Sequence, residues 1–306
     1  MLERRYALTA LQKGMVYQSL RSPQAGLYVQ QLTGRLREPL DVPLFKGVWA
    51  RLMARHAVLR TRMHLEDESD LCQEVEPEAP VQWTEDDWST LSPEERETRF
   101  RRFLDEDRRR GFDFSSFPLM RLAVFRLADH DFHFVWTYYH ALLDGRSRSR
   151  VLEELFGLYD AQRRGEDYRL ADPSPFRDFV EWLNRQKFPL AKDFWLNFLE
   201  GFENPTRLDL PARRLQTCGD ASDRGLNDCL LSREDTETLR AFAARHDVTL
   251  GTLIQVSWSV LLSRYSGQDD VLFGATRACR HSSNHDAEST VGLLMNTVPM
   301  RVRLTK

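Results

Sequence analysis

The chain has 306 residues, with 43 Lys and Arg against 46 Asp and Glu, for a formal net charge of −3. That near-balance removes the electrostatic case for a nucleic-acid binder, and 42% hydrophobic with 29% charged residues is a globular rather than a disordered or fibrous composition. At this length one large domain or two lobes are the natural partitions, and either buries a substantial core.

The N-terminus carries Glu3, Arg4 and Arg5, and Gln12 and Lys13 interrupt any apolar run behind them, so the expectation is no export signal and a cytoplasmic location. Leu44, Phe45, Val48, Leu52 and Met53 recur at helical spacing, and the short run Leu59 to Met63 reads as a strand. Ser92-Pro93-Glu94-Glu95 combines a capping Ser, a Pro at the first helical position and a Glu three residues on, so a charged helix begins there and ends near Gly111. Leu119 to Leu127 and Phe132 to Tyr139 are β-rich and flank a four-residue turn, which predicts a hairpin. Val151, Leu152, Leu155, Leu158 and Tyr159 then form one helical stripe reaching about Arg164.

The polar stretch Arg163 to Pro175 is the boundary between lobes, dividing the chain into 1–172 and 173–306. Beyond it, Phe176 to Gln186 and Leu190 to Leu199 read as helices whose aromatics belong to the core. Cys218 to Gly225 reads as a loop, Leu226 to Leu231 as a strand, and Ser232 as the cap of a further helix. The most apolar helical run, Leu250 to Tyr265, contains Gln255, three serines and Arg264, too polar for a membrane span. The strand Val298 to Leu304 alternates apolar and polar residues, so one of its faces needs a partner layer. Helix and strand patterns alternate throughout, which places the chain in the mixed α/β (α+β) class. Cys72, Cys218, Cys229 and Cys279 have no C-x-x-C spacing and read as reduced thiols.

The most informative local feature is Tyr138-Tyr139-His140-Ala141-Leu142-Leu143-Asp144-Gly145, at a strand end and before a helix. His140 there suits a general base, because its unperturbed pKa lies near operating pH, and Gly145 allows close backbone approach to a ligand. A satisfied core histidine before a turn fits the same pattern, and spacing alone does not choose. His140 and Asp144 lack a third metal ligand, and His281 and His285 sit in a polar run that reads as a loop, so no metal is expected. There is no Gly-x-Gly-x-x-Gly, Walker or Gly-x-Ser-x-Gly pattern to announce a nucleotide or a hydrolase elbow. The arginine clusters at 101–102, 108–110, 146–150 and 213–214 read as solvated faces.

Several ordered motifs resemble one family. They are Ala7-Leu8-Thr9-Ala10-Leu11-Gln12-Lys13-Gly14-Met15, Arg55-His56-Ala57-Val58-Leu59-Arg60-Thr61, Arg110-Gly111-Phe112-Asp113 and Tyr139-His140-x-x-x-Asp144-Gly145. Phe176-Arg177-Asp178-Phe179-Val180-Glu181-Trp182, Phe273-Gly274-Ala275-Thr276 and Val291-Gly292-Leu293-Leu294-Met295-Asn296-Thr297-Val298 follow in the same order. Together they resemble the condensation domains of nonribosomal peptide synthetases, within the chloramphenicol acetyltransferase-like fold.

The resemblance implies two lobes with a tunnel entered by two phosphopantetheine arms, each on a carrier protein. A donor acyl or peptidyl thioester is attacked by an acceptor aminoacyl amine to form an amide. The domain itself is then expected to bind no cofactor, the arms being substrates. The partners implied are donor and acceptor peptidyl carrier proteins and a neighbouring adenylation domain. His140 matches the catalytic histidine, as base or positioning group, and Gly145 the glycine that offers its N–H to the oxyanion. Asp144 matches a structural aspartate paired with an arginine of the second lobe, for which Arg280 is the candidate. Tyr139 replaces the motif's first histidine and Cys279 a glycine before the arginine. Family members continue beyond Lys306, so an incomplete second lobe with exposed apolar surface and a tendency to self-associate is expected. A related acyltransferase using CoA or an alcohol acceptor, and a degenerate module that binds a carrier protein or recruits a partner, are the alternatives.

Overall fold

Local chemistry starts most of the helices. In the computed structural model, which describes residues 5–65, 71–186, 188–208, 229–280 and 287–305, two compact units divide the chain. The first contains β1 (Arg5–Ala7), α1 (Ala10–Arg21), β2 (Val29–Leu36), α2 (Val42–Arg55), β3 (Thr61–His64), β4 (Cys72–Val75), β5 (Trp83–Asp87) and α3 (Pro93–Arg110). It continues through β6 (Met120–Ala128), β7 (Asp131–Tyr139), α4 (Gly145–Arg164) and α5 (Phe176–Asn184). Thr9 with Gln12, and Ser92 with Glu95, form reciprocal capping boxes at α1 and α3, while Asp41 and Asp144 cap α2 and α4.

Strands β1, β4 and β3 make one antiparallel sheet, in that order. The larger sheet has the order β2-β7-β6-β5, with β2, β7 and β6 antiparallel and β5 running parallel to β6. The predicted hairpin is β6–β7, and the register Val29↔Tyr139 brings the start of β2 beside the end of β7.

Alternation along β7 sorts its side chains between two layers. Phe134 and Trp136 meet α2, with Phe45–Phe134 centroids 5.3 Å and Trp49–Trp136 centroids 5.0 Å apart. Val135 and Thr137 face α3. There Trp88 stacks on Phe125 at 4.1 Å, and the buried Asp107 accepts hydrogen bonds from Thr137 Oγ1 at 2.6 Å, Arg121 Nε at 2.8 Å and Gln31 Nε2 at 3.1 Å. Burial alone would raise the Asp107 carboxyl pKa, but the Arg121 guanidinium and the hydroxyl and amide donors outweigh it and hold the carboxyl below the usual range. The aromatics of α5 are core: Phe176 and Phe179 stack and are 4% exposed.

The second unit holds α6 (Phe188–Phe198), α7 (Arg233–Arg245), capped by Ser232 as predicted, α8 (Leu250–Ser266) and the paired strands β8 (Asp270–Ala278) and β9 (Met295–Arg303). Arg301 donates to Asp270 at 2.6 Å and to the carbonyls of Phe198 and Glu200, tying the strand pair to the end of α6. Helix α8 buries Ser259 and Leu262 while Ile254, Trp258, Leu261 and Tyr265 stay exposed. No helix among the described residues is long and apolar enough to cross a membrane.

The structure departs from the sequence reading in three places. The division falls at Gln186 rather than at 172, because α5 packs into the first core, and Ala278–Asn296 also belongs to the first unit although it lies late in the chain. The aromatics of α6 are not all core, since Phe194 is 57% exposed. Cys229 to Leu231 is not a strand, and Leu230 is 98% exposed; the rest of that run, with the Cys218–Gly225 loop, Arg213, Arg214, His281 and His285, lies outside the described residues. Cys72 is buried, Cys279 half-buried and Cys229 exposed, and Cys218 also lies outside.

Candidate active site

Strand β7 ends at Tyr139, and the chain turns into α4 within five residues. The turn is closed by its own backbone: Leu142 N–H donates to the Tyr139 carbonyl at 3.0 Å and Leu143 N–H to the His140 carbonyl at 3.2 Å. Ala141, Leu142 and Leu143 are fully buried, anchoring the turn by its apolar side chains, whereas His140 is half-buried. The His140 N–H donates to the carbonyl of Tyr28 at 2.8 Å, and Tyr28 takes a left-handed φ of 58°. A non-glycine residue rarely adopts that conformation, and here it aims a carbonyl at the active-site loop. Gln12, from the opening motif, is fully buried and donates to the Ala141 carbonyl at 3.0 Å.

The imidazole has one defined partner. His140 Nδ1 lies 2.8 Å from the Leu143 carbonyl oxygen. A carbonyl only accepts, so Nδ1 carries a proton, and in that tautomer Nε2 is the nitrogen able to accept. Among the described residues the half-buried ring makes this one hydrogen bond.

Asp144 is the centre of a buried network. Its Oδ1 accepts the Ser147 N–H at 2.8 Å, which caps α4, and its Oδ2 accepts the Leu294 N–H at 3.0 Å. Arg280 Nη2 reaches the two carboxylate oxygens at 2.9 and 3.1 Å and the Ser147 hydroxyl at 2.7 Å. Nη1 of the same guanidinium donates to the Thr290 and Ala287 carbonyls. The Ser147 hydroxyl donates to the Gly292 carbonyl at 2.8 Å and accepts the Gly292 N–H at 2.9 Å. Both Asp144 and Arg280 are at most 5% exposed. The structure thus brings Asp144 and Arg280 together, inside the first unit rather than between two lobes, because the Ala278–Asn296 segment belongs to that unit.

Gly292 is required sterically: a Cβ there would stand 2.3 Å from the Phe176 ring. Tyr139, at the position of the motif's first histidine, is buried against Phe114, with its hydroxyl 3.0 Å from Ser19 Oγ. Burial drives the Tyr139 hydroxyl pKa up, so it stays a neutral phenol. Cys279 is half-buried, and burial with the nearby Asp144 charge raises its thiol pKa. Gly145 is exposed and is the first residue of α4; Asp144 caps the Ser147 N–H, and helix geometry leaves the first amides of α4 without intrahelical acceptors.

Ser147, Gln12 and Tyr28 are site residues that the motif reading left without a role. Ser147 was visible as the third residue after a capping Asp; the contributions of Gln12 and Tyr28 run through backbone carbonyls, which no side-chain pattern discloses. Among the described residues no three His, Cys, Asp or Glu side chains gather as a metal site.

A sequence profile described as "Condensation domain" matches residues 2–306. A linear gramicidin synthase of Brevibacillus parabrevis is 36% identical over 303 residues, which are 99% of this chain and 6% of that protein. The chain therefore spans only a small part of this relative. The fold is similar to the first condensation domain of the calcium-dependent antibiotic synthetase, solved with a substrate analogue, with TM-score 0.77, 20% identity, and coverage of 98% of this chain and 70% of that one. It is also similar to the X-domain solved in complex with OxyB from teicoplanin biosynthesis, with TM-score 0.80, 24% identity, and coverage of 100% and 67%. These likenesses establish the chloramphenicol acetyltransferase-like fold class, and with the profile spanning nearly every residue, the chain belongs to the condensation-domain family.

Proposed function

We propose that this chain joins a donor acyl or peptidyl thioester to the amine of an acceptor aminoacyl thioester, both on phosphopantetheine arms of carrier proteins, in a synthetase that also carries an adenylation domain. The observation that carries this reading is the fixed tautomer of His140, whose Nδ1–H is committed to Leu143 while Nε2 remains an acceptor. In the reaction the amine nitrogen attacks the thioester carbonyl, a tetrahedral oxyanion forms, and the C–S bond breaks to release the donor thiol. Nε2 of His140 holds the amine in line and takes its proton, which the departing thiolate then receives. The exposed N–H of Gly145, at the positive end of α4, suits the oxyanion. Asp144, Arg280 and Ser147 hold the start of α4 in place and touch no reacting atom.

The test is product formation with both carrier proteins loaded. His140→Ala is expected to lower the rate about 10²- to 10⁴-fold while leaving the melting temperature nearly unchanged; a rate near wild type refutes the role. Tyr139 in place of the motif's first histidine favours a second reading, a module that only binds a carrier protein or partner. Absence of product from the unaltered protein, with carrier binding retained, selects that reading, and product from a CoA thioester in place of the donor carrier selects a CoA-using acyltransferase.

A further inference from the structure

A cavity of about 470 Å³ opens in the first unit between the end of α1, the start of β2 and the residues following α3. Its walls are Leu27, Val29, Met63, Phe112, Phe114 and Tyr139. Two of these walls are held from behind. Tyr139 packs edge-on to Phe114 at 4.9 Å and to Phe112 at 6.2 Å, and the Arg121 guanidinium lies 4.2 Å over the Phe112 ring. Along β7, Tyr139 falls on the α3 side with Val135 and Thr137, opposite Trp136 and Tyr138. His140 does not line this cavity, although Tyr139, the residue before it, does.

The charges at the rim are unequal in their commitments. Arg110 donates to Asp107 at 2.7 Å, and the Asp113 carboxylate already accepts from the Ser115 N–H and hydroxyl. Arg109 also lines the cavity; it is exposed and makes no ion pair or side-chain hydrogen bond among the described residues. An open cavity with apolar side chains on its walls, Ser19, Ser22 and Ser115 also in its lining, and at its edge one guanidinium without an ion pair among the described residues matches a ligand with an apolar body and a single anionic head, and its volume falls in the range of about 300–1,000 Å³ usual for small-molecule sites.

We infer that this cavity binds a medium-chain carboxylate, with the alkyl chain between Leu27, Met63 and the two phenylalanines and the carboxylate on Arg109. The inference does not depend on the condensation chemistry, since neither His140 nor Gly145 contributes to the cavity. Calorimetric titration of the 306-residue chain with hexanoate, octanoate and decanoate tests it. Saturable one-to-one binding is expected, tightening about fourfold for each added methylene, with decanol at least about tenfold weaker than decanoate. Leu27→Trp, which fills the chamber, should abolish binding, and Arg109→Glu should weaken it by about tenfold or more; Met63→Trp serves in place of Leu27→Trp if that variant melts early. Failure to saturate, an affinity unchanged in both Leu27→Trp and Met63→Trp, or an affinity indifferent to Arg109→Glu overturns the inference. Binding of many chains per protein, untouched by the filling variants, assigns the ligand to exposed apolar surface such as α8 and overturns it equally.

Discussion

Replacing Asp144 by alanine should damage the protein far more than replacing the histidine four residues before it. The substitution removes the cap on the Ser147 amide, the acceptor for the Leu294 amide and both carboxylate contacts to Arg280. Arg280 is 4% exposed and its Nε has no partner among the described residues, so the guanidinium is left buried without a counter-charge. Removing one member of a buried ion pair costs about 3–5 kcal/mol, and the lost cap, itself worth about 1 kcal/mol, falls within that total because the two effects share one carboxylate. His140→Ala deletes a single bond to the Leu143 carbonyl and should cost about 1 kcal/mol. Urea unfolding followed by tryptophan fluorescence measures the difference, since Trp49 and Trp136 lie in the first core. A cycle with Arg280→Met isolates the pair: the double variant should be at least about 1 kcal/mol more stable than the sum of the single losses predicts. Equal destabilisation by Asp144→Ala and His140→Ala, or strict additivity in the cycle, would refute the view that this ion pair fastens the loop.

Gly292→Ala forces a methyl into the Phe176 ring and should cost about 1–3 kcal/mol. Adding Phe176→Leu to it should recover part of the loss in a thermal melt, and no recovery would remove the steric explanation. Asp107 bears on acid stability: its folded-state carboxyl pKa is depressed, so its stabilisation is complete above the unfolded value of about 4 and disappears as pH falls through the lower, folded value. Asp107→Asn should therefore be less stable than wild type at pH 7, with the gap narrowing below about pH 4; a gap independent of pH between 7 and 2 would contradict the assignment. Tyr139→Phe loses the bond to Ser19 and should cost about 1 kcal/mol by the same melts without changing the wall of the cavity, whereas a loss of condensation rate beyond about tenfold would give the phenol a part in the reaction.

Locally encoded features are legible in the sequence. The Ser92 capping box, the β6–β7 hairpin and the helix opened by Ser232 each rest on residues within one turn or one pleat, and each lies where the pattern puts it. The start of α4 follows the active-site motif as expected, although its first six residues, Gly145 to Arg150, have no apolar stripe and the helix there depends on the Asp144 cap. The return of Ala278–Asn296 to the first unit is beyond local pattern altogether. It depends on a guanidinium meeting a carboxylate 136 residues away, and only family resemblance points to Arg280 as that partner. The role of Tyr28 is hidden for another reason, since a carbonyl in a left-handed turn leaves no mark in residue type.

The distance along the chain between Asp144 and the Leu294 amide, 150 residues, sets an order of assembly. Residues up to α5 supply most of the first core, and Ala287, Val291, Leu293 and Leu294 complete it from late in the chain. The carboxylate that caps α4 has neither its cation nor the Leu294 amide until that segment docks. Closing so long a loop pays its entropy before any contact offsets it. Hydrogen exchange at the Ser147 and Leu294 amides, both held by Asp144, should therefore report the docking of this corner more directly than the melting of the domain around it.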